Sequence, residues 1–308
     1  MSLTYHPAHS VRCLFAAVLL TVASPVHAQE PNGAPDLVEN ATRLATPTAQ
    51  ERHDALISLL DHYGLSYEIQ QFQQEPEDPA PSAGRNVSVW LGSGHRQLIV
   101  GAHSDAAKLT DGTLSQAMVD NAAAVAILVR LATTLQHHEF KHRIRIVFFD
   151  LEERGLLGSR HLVSTIAPDA VAGMINLDIA GYGDTIIYGP SANRGNAPLF
   201  AALHHVCTDA DTRCLEFPVF PPSDDRSFQR AGIPNISLAT LPRREAHQLW
   251  LVLNTDPDES GLAPGFVPPI LQLIHTDSDT QDKLDDEAMR LAYNVVKKLL
   301  LRLDQRLP

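Results

Sequence analysis

The feature that most constrains this fold is a strand-like run that ends near two adjacent glutamates. Residues 143–149 read Arg-Ile-Arg-Ile-Val-Phe-Phe, and their β-branched and aromatic side chains predict a buried strand. Glu152 and Glu153 come soon after it, and Gly155 separates them from an apolar segment typical of a helix. Ligands of open α/β sheets bind outside the carboxyl ends of the strands, so we expect the chemistry of this chain here.

The two glutamates allow two interpretations. In extended backbone their side chains point to opposite sides, so one can bind a metal ion while the other faces a substrate. Taken alone, a solvated pair of charged residues at a strand end explains the motif equally well. The rest of the chain has to decide between a site and a surface feature.

The N-terminal residues have the composition of a secretory signal peptide. An apolar run at 14–20 follows a modestly basic start, and Val26-His27-Ala28 is typical of a cleavage site. We expect a signal peptide at 1–28, an N-terminal tail at 29–47 and a folded domain at 48–308. The apolar run is too short for a membrane span, and no later stretch has the ~18 consecutive apolar residues that a span needs. The mature protein is expected to be exported, either periplasmic or secreted.

Charge and cysteine content narrow the partners and the compartment. The formal net charge of −12 disfavours nucleic acid and anionic membranes as partners. Cys13 leaves with the signal peptide, whereas Cys207 and Cys214 remain. In an oxidising compartment two cysteines seven residues apart are expected to form a disulfide, with a pair of free thiols as the alternative.

Helix-like and strand-like segments alternate along the mature chain, which predicts a single α/β domain of three layers. We expect a mostly parallel, mixed central sheet with helices on both faces. Gly92-Ser93-Gly94 predicts a hairpin between strands at 86–91 and 97–101. The segment 118–135 has almost no charge and predicts a helix that is buried around most of its circumference.

Histidines and carboxylates fall at the ends of the predicted strands. Three of them, His103, Glu153 and Asp178, end successive strands, and a parallel sheet brings such ends together. A mixed His/Asp/Glu set without thiolates suits zinc or a comparable transition metal. The sequence therefore favours a metal site at this edge of the sheet.

Several motifs occur in one order along the chain. They are His103-x-Asp105, Asp120-Asn121-Ala122-Ala123, Glu152-Glu153-x-Gly155-Leu156-x-Gly158-Ser159, Asn176-x-Asp178, Ser223-Asp224, Phe228 with Gly232-Ile233-Pro234, and His275-Thr276-x-x-Asp279. From about Arg85 to the C-terminus this pattern resembles the M28 family of zinc peptidases, in its aminopeptidase Y and bacterial leucyl aminopeptidase group. The resemblance implies the zinc-peptidase (phosphorylase/hydrolase-like) fold.

The resemblance also implies two Zn²⁺ ions, although other divalent metals are possible. His103 and Asp178 would bind one ion, Glu153 and His275 the other, and Asp120 would bridge them through its two oxygens. Glu152 would be the general base. The resemblance further implies a cis peptide after the bridging aspartate.

Other residues are assigned around these ligands. Asp105 is expected to orient the imidazole of His103, and Asp279 to do the same near His275. Where the family commonly has Ser-Asp-His, this chain has aspartates at 224 and 225. Because that position lies near the substrate pocket in relatives, we assign Asp224, Asp225 and Phe228 to the pocket.

The leading functional hypothesis is an aminopeptidase that acts on peptides with a free N-terminus. Glutaminyl cyclase chemistry, which typically uses one zinc, is an alternative within the same fold. A non-catalytic binding domain is a second alternative, since fold does not fix function. Carboxypeptidase or dipeptidase action stays open, because it depends on whether the pocket recognises a free amine or a free carboxylate. Arg226, Arg243 and Arg244 can bind a carboxylate, and exposed surface arginines are the alternative explanation. The sequence leaves side-chain preference and oligomeric state open.

Overall fold

The computed structural model describes Met1 and residues 36–74, 82–192 and 194–308. The α/β domain belongs to a compact unit within residues 34–308. Apart from Met1, the predicted signal peptide lies outside the described residues, as does the tail from 29 to 35.

The domain is built on one eight-stranded mixed sheet with the order β1-β2-β4-β3-β5-β8-β6-β7. The central strands β4, β3, β5 and β8 are parallel, whereas β1 and β2 are antiparallel additions at one edge and β6 runs antiparallel to β8. The strands are β1 (Tyr67–Gln74), β2 (Ser82–Leu91), β3 (Gln97–His103), β4 (Arg143–Phe149), β5 (Val171–Leu177), β6 (Thr185–Gly189), β7 (Cys214–Glu216) and β8 (Asn235–Leu241). The predicted fold class is confirmed.

Nine α-helices lie in the described residues. They are α1 (Leu37–Thr42), α2 (Ala49–His62), α3 (Ala123–Leu135), α4 (Leu157–Thr165), α5 (Ala197–Asp209), α6 (Asp225–Arg230), α7 (Arg243–Asn254), α8 (Pro269–Leu273) and α9 (Asp286–Arg306).

The two faces of the sheet bury alternate residues of the central strands. Leu98 and Val100 of β3 belong to the large core cluster with α1, α2, α3, α5 and α9, whereas Ile99 between them packs with α4 and α6. Strand side chains alternate in this way because successive Cβ atoms point to opposite faces. The alternation yields three layers, with helices on both sides of the sheet.

The predicted hairpin at Gly92-Ser93-Gly94 is wrong, because β4 lies between β2 and β3 in the sheet. Ile146 pairs with Val89 of β2 on one side and with Val100 of β3 on the other. Strand β4 is buried along almost its whole length, and an interior position supplies the two neighbouring strands that such a strand needs. The glycines serve close packing instead, since a Cβ at Gly94 would lie 2.0 Å from the Lys141 carbonyl oxygen.

The folded domain begins before residue 48, so the predicted tail boundary is wrong. Helix α1 begins at Leu37 and is capped by Asp36, whose side chain accepts the N–H of Glu39 at 2.8 Å. Leu37, Ala41 and Leu44 are buried in the large core cluster. This short helix is stabilised by packing rather than by its own propensity, which is why composition alone did not indicate it.

The apolar segment Met118–Leu135 forms the central helix of the domain. It is the one stretch of the described residues that is long and apolar enough to cross a membrane by length and composition, which corrects the expectation that no stretch after the signal peptide reaches this length. Inside the fold 89% of it is buried. The prediction of a mostly buried helix is confirmed. Its first turn, Met118–Ala122, is wide and irregular, because Asp120 and Asn121 have non-helical backbone angles.

Cys207 and Cys214 form the predicted disulfide, with their Cα atoms 6.1 Å apart. It connects the C-terminal turn of α5 to the first residue of β7, the edge strand. The bond therefore lies at one end of the sheet, away from the strands that end near the Glu pair.

Candidate metal centre

The predicted metal ligands converge at the carboxyl edge of the parallel strands. His103 is the last residue of β3, Asp178 follows β5, and Glu153 lies in the turn after β4. Asp120 reaches the same edge from the irregular turn before α3, and His275 from the loop after α8. Residues far apart in sequence thus meet because neighbouring parallel strands end together.

Asp120 stands between two groups of ligands. Its Oδ1 lies 2.9 Å from Nε2 of His103, and its Oδ2 lies 3.1 Å from Nε2 of His275. Nε2 of His103 is also 3.4 Å from Oδ1 of Asp178, and Nε2 of His275 is 3.1 Å from Oε2 of Glu153. The two groups are therefore His103, Asp120 and Asp178, and Asp120, Glu153 and His275.

These residues fit divalent metal ions. Within each group the candidate ligand atoms all lie within 4.8 Å of one another. Oε1 of Glu153 is buried and has no hydrogen-bond partner among the described residues. Each Nε2 faces two carboxylate oxygens, an arrangement expected where a cation binds between them. Nitrogen and oxygen donors without thiolates are a set that zinc accepts.

The electrostatics of the cluster show how strongly it favours positive charge. Burial opposes protonation of His103, but its hydrogen bonds to Asp105, Asp120 and Asp178 together raise its pKa well above the ordinary value. Hydrogen bonds to Asp120 and Glu153 raise the pKa of His275 to about 10. The carboxylates thus favour a cation here, a role that bound metal ions would take over.

The backbone that carries Asp120 is fixed from two sides. Asp279 is fully buried and accepts the N–H groups of Val119 at 2.8 Å and Asp120 at 3.0 Å. Asn121 donates its side-chain amide to the carbonyl of Leu177 at 2.9 Å, and the Asp120–Asn121 peptide is cis, as the resemblance implies. Asp279 therefore holds the Asp120 segment, and its predicted role of orienting the His275 ring is corrected.

Asp105 connects the first histidine to the Glu pair. One oxygen lies 3.3 Å from Nδ1 of His103, and the orienting role of Asp105 stays a prediction. The same carboxylate accepts the backbone N–H of Glu152 at 3.1 Å and of Glu153 at 3.2 Å. Those glutamates lie in a turn rather than in extended backbone, so strand alternation does not separate their side chains.

Glu152 borders the metal ligands. Its carboxylate forms a group with His103 and Glu153 in which the candidate ligand atoms lie within 4.8 Å of one another. Burial raises its pKa well above that of a free glutamate, and the negative charges of Asp178 and Asp224 act in the same direction. A carboxylate with a raised pKa is suited to accepting and holding a proton.

The Glu turn is supported by residues that sequence reasoning missed. Asn86 accepts the N–H of Asp150 at 3.1 Å and donates to the carbonyl of Gly158 at 2.9 Å, while Asp150 accepts the N–H of Arg85 at 2.8 Å. A Cβ at Gly158 would lie 2.3 Å from the Asn86 side chain, so only glycine fits there. Gly158 belongs to a sequence motif and could have indicated close packing here. Nothing in the sequence pointed to Asn86 or Asp150.

The predicted pocket residues are all buried. Phe228 is 0% exposed and packs edge-on against Phe149 at a centroid distance of 6.1 Å, so it is a core residue and its assignment to the pocket is wrong. Asp225 is also 0% exposed and accepts the N–H of Ser223 at 3.2 Å, so it too is not open to a substrate. Asp224 is equally buried, and burial raises its pKa to about 8.

His275 marks the open side of the centre. Its side chain is 53% exposed, whereas that of His103 is 1% exposed. The backbone of His275 has a φ of 59°, and the loop is held where Ser115 donates to the carbonyl of Thr276 at 3.0 Å. The centre is therefore open to solvent on the His275 side.

The two His/Asp/Glu groups lie at the carboxyl edge of the sheet and share one aspartate. The chain is therefore an α/β protein with a candidate metal centre. A sequence profile of peptidase family M28 matches residues 86–300. The chain belongs to peptidase family M28, and this membership supports hydrolase chemistry.

Solved structures share the fold. A Zn-dependent exopeptidase from Parabacteroides distasonis superposes with a TM-score of 0.67 at 18% identity, covering 88% of this chain and 96% of its own. A zinc aminopeptidase from Bacillus subtilis gives 0.64 at 14% identity, with 86% and 93% covered. A glutaminyl cyclase from Porphyromonas gingivalis gives 0.62 at 19% identity, with 88% and 95% covered. No curated protein sequence matches this chain. At these identities the likeness establishes the fold alone.

Proposed function

We propose that this chain is a dinuclear zinc aminopeptidase that removes N-terminal residues from peptides with a free N-terminus. The observation that carries the proposal is the position of Asp120, whose two oxygens each lie next to Nε2 of a different histidine, at 2.9 Å and 3.1 Å. A carboxylate placed in this way can bridge two metal ions. One ligand group would hold each ion, with Asp120 common to both.

Different residues of the chain would then have different roles in hydrolysis. Zinc bound here would supply Lewis acidity to the scissile carbonyl and to the attacking water. Glu152 would accept a proton from the water as the water oxygen adds to the scissile carbonyl carbon. It would then deliver this proton to the nitrogen of the leaving amine as the C–N bond breaks, so that no amide anion has to leave. Asp105 accepts the backbone N–H of Glu152 and lies 3.3 Å from Nδ1 of His103, so its carboxylate lies between the proposed base and this ligand.

The assignment of the base is tested with Glu152→Gln, which keeps the shape of the side chain but cannot accept the proton. We expect peptide hydrolysis to fall roughly 10²- to 10⁴-fold while two zinc ions per chain are retained in elemental analysis. Glu139→Gln, at an exposed position, is the matched control and should be fully active. A Glu152→Gln enzyme with undiminished activity would remove Glu152 from the mechanism.

The end of the peptide from which residues are removed is tested with peptides that are either free or acetylated at the N-terminus. The products are identified by mass spectrometry. Stepwise loss of N-terminal residues from the free peptides only is the expected result. Cleavage of blocked peptides, or shortening from the carboxyl end, would contradict the aminopeptidase and favour the carboxypeptidase alternative. Activity should disappear with a chelator and return with zinc.

Glutaminyl cyclase activity is the second candidate, favoured by the likeness of the fold to the Porphyromonas gingivalis enzyme. Peptides that begin with glutamine separate the two. An aminopeptidase releases glutamine, whereas a cyclase closes the side chain onto the α-amino group with loss of ammonia and leaves the peptide at full length. One zinc per chain together with cyclisation would transfer the assignment to the cyclases. A metal-binding protein without effect on any peptide would favour the binding-domain alternative.

We further propose that the protein is exported and cleaved after Ala28. The support is the composition of residues 1–28 and the Cys207–Cys214 disulfide, since disulfides persist in oxidising compartments. N-terminal sequencing of protein recovered from cell fractions tests this directly. A cytoplasmic protein that keeps residues 1–28 would contradict it.

A further inference from the structure

A buried arginine lies beneath the metal centre, outside the segment that matches the family profile. Arg52 is on α2 and is 2% exposed, and it shares the inward face of that helix with Leu56, Leu59 and Leu60. A buried charge is costly unless it is compensated, so such a residue requires partners. Burial lowers the pKa of Arg52 to about 10, which leaves the guanidinium charged at neutral pH.

The guanidinium donates to four backbone carbonyls on three separate segments. Nε donates to Ser104 at 2.7 Å, and Nη1 donates to Leu44 at 2.7 Å and to Gln116 at 3.0 Å. Nη2 donates to Ala117 at 3.3 Å. The fixed fork of an arginine side chain can hold these carbonyls in one geometry, which a single ammonium group cannot.

Two of these segments carry metal ligands. Ser104 lies between His103 and Asp105, so Arg52 fixes the backbone at the end of β3. Gln116 and Ala117 lead directly into the turn that contains Asp120. Arg52 is thus connected through hydrogen bonds to the segments that carry one ligand of the first group and the shared ligand of both.

The turn before Asp120 has a conformation that needs such support. Ala117 has φ 51° and ψ 52°, in the left-handed region that residues with a Cβ rarely adopt. Arg52 binds the carbonyl of Ala117 and the carbonyl of the residue before it. A backbone held in a sparsely populated region persists when its surroundings over-determine it, and the two hydrogen bonds contribute to this.

Arg52 also lies in the field of the centre. The carboxylates of Asp105, Asp279, Asp120 and Glu153 all act to raise its pKa against the effect of burial. The four hydrogen bonds go to carbonyl oxygens, so the carboxylates stay available to a metal ion while a positive charge stands behind them.

We propose that Arg52 is a positioning residue of the metal centre, which holds the backbone of Ser104 and of residues 116–117 so that His103 and Asp120 meet at the metal-binding distance. The proposal rests on the metal centre of the proposed function. Arg52 sets metal affinity through backbone geometry and does not touch the substrate.

The test compares four full-length proteins: the unaltered chain, Arg52→Lys, Arg52→Met and the control Leu56→Ala. Leu56 is fully buried on the same face of α2, one helical turn away, so its truncation destabilises the same helix without removing a hydrogen bond to the ligand segments. Zinc affinity is measured by competition with a chromophoric chelator, ligand geometry by the visible spectrum of the Co²⁺ form, and stability by thermal melting of the metal-free protein.

Both Arg52 variants are expected to bind zinc about 10- to 100-fold more weakly and to show an altered Co²⁺ spectrum. Leu56→Ala should melt at a lower temperature with its zinc affinity within about twofold of the original. If Arg52→Met does not fold, the lysine variant, which keeps the charge but not the fork, decides alone.

Three results would overturn the proposal. They are an unchanged zinc affinity and Co²⁺ spectrum in the folded Arg52 variants, an equal loss of affinity in Leu56→Ala, and an unaltered chain that binds no zinc. The third result would overturn the proposed function as well, whereas the first two leave that function intact.

Discussion

The carboxylate of Asp279 accepts the backbone N–H of Asp120 at 3.0 Å, and its other oxygen accepts the N–H of Val119 at 2.8 Å. Asp279 therefore fixes the backbone of the shared ligand. Asp279→Asn leaves only one acceptor oxygen for two donors, and we expect zinc affinity to fall about 10- to 100-fold. Chelator competition measures the loss. Asp277→Asn, at an exposed position on the same loop, should bind zinc like the original; equal affinities in both variants would contradict the role of Asp279.

Asp105 is predicted to act on the catalytic rate through the position of Glu152. Its carboxylate accepts the N–H groups of both residues of the Glu pair, and Asp105→Asn replaces one acceptor oxygen by a donor that faces an N–H. Peptidase turnover should fall about 10- to 100-fold, with a smaller effect on KM because the substrate is not contacted. Asp111→Asn, exposed on the loop that follows β3, is the control. A change confined to KM would show that Asp105 contacts the substrate instead.

The disulfide is predicted to stabilise the fold without affecting the centre. Its loop is short, and the loss of chain entropy on closing a loop of this size corresponds to about 2–3 kcal/mol. Cys207→Ala/Cys214→Ala should therefore unfold roughly 4–6 °C lower while activity and zinc content are unchanged, since β7 is three places from β5 in the sheet. Loss of zinc from the double variant at temperatures where it is folded would contradict this separation.

The ligands that follow parallel strands are the part of the centre that could be predicted from the sequence. Local spacing places His103, Glu153 and Asp178 after strands, and parallel pairing then brings them together without further information. The resemblance to the M28 family, rather than strand spacing, indicated Asp120 and His275. What spacing could not indicate is the hydrogen-bond partner of a side chain, and Asp279 contacts a backbone segment 159 and 160 residues away.

The wrong hairpin prediction and the missed role of Arg52 have the same physical reason. The glycines after β2 resemble a hairpin turn locally, but the burial of β4 determines which strand lies beside β2. Arg52 was missed although it occupies an inward position of an amphipathic helix, where a charged residue signals a buried partner. The helical period identifies that face but not the carbonyls it meets. Tertiary packing decided both cases.

The final prediction is that Asp225 makes the stability of the native protein depend on pH. It is 0% exposed, and burial raises its pKa to about 7, whereas an aspartate in the unfolded chain titrates near ~3.9. Between these values the native state binds a proton that the unfolded state does not, so stability falls as pH rises through this window. Above pH ~7 the carboxyl group is ionised in both states, and the free energy of unfolding is lower by the full amount, about 4 kcal/mol.

Asp225→Asn removes this titration while keeping an oxygen that can accept the N–H of Ser223. The variant should gain little stability at pH 4 and about 4 kcal/mol at pH 8 relative to the unaltered chain. Urea unfolding of the metal-free proteins at several pH values measures the difference, so that metal binding does not contribute to the pH dependence. Parallel stability curves at all pH values would show that Asp225 stays charged in the native protein, and that its burial is compensated by groups other than the proton.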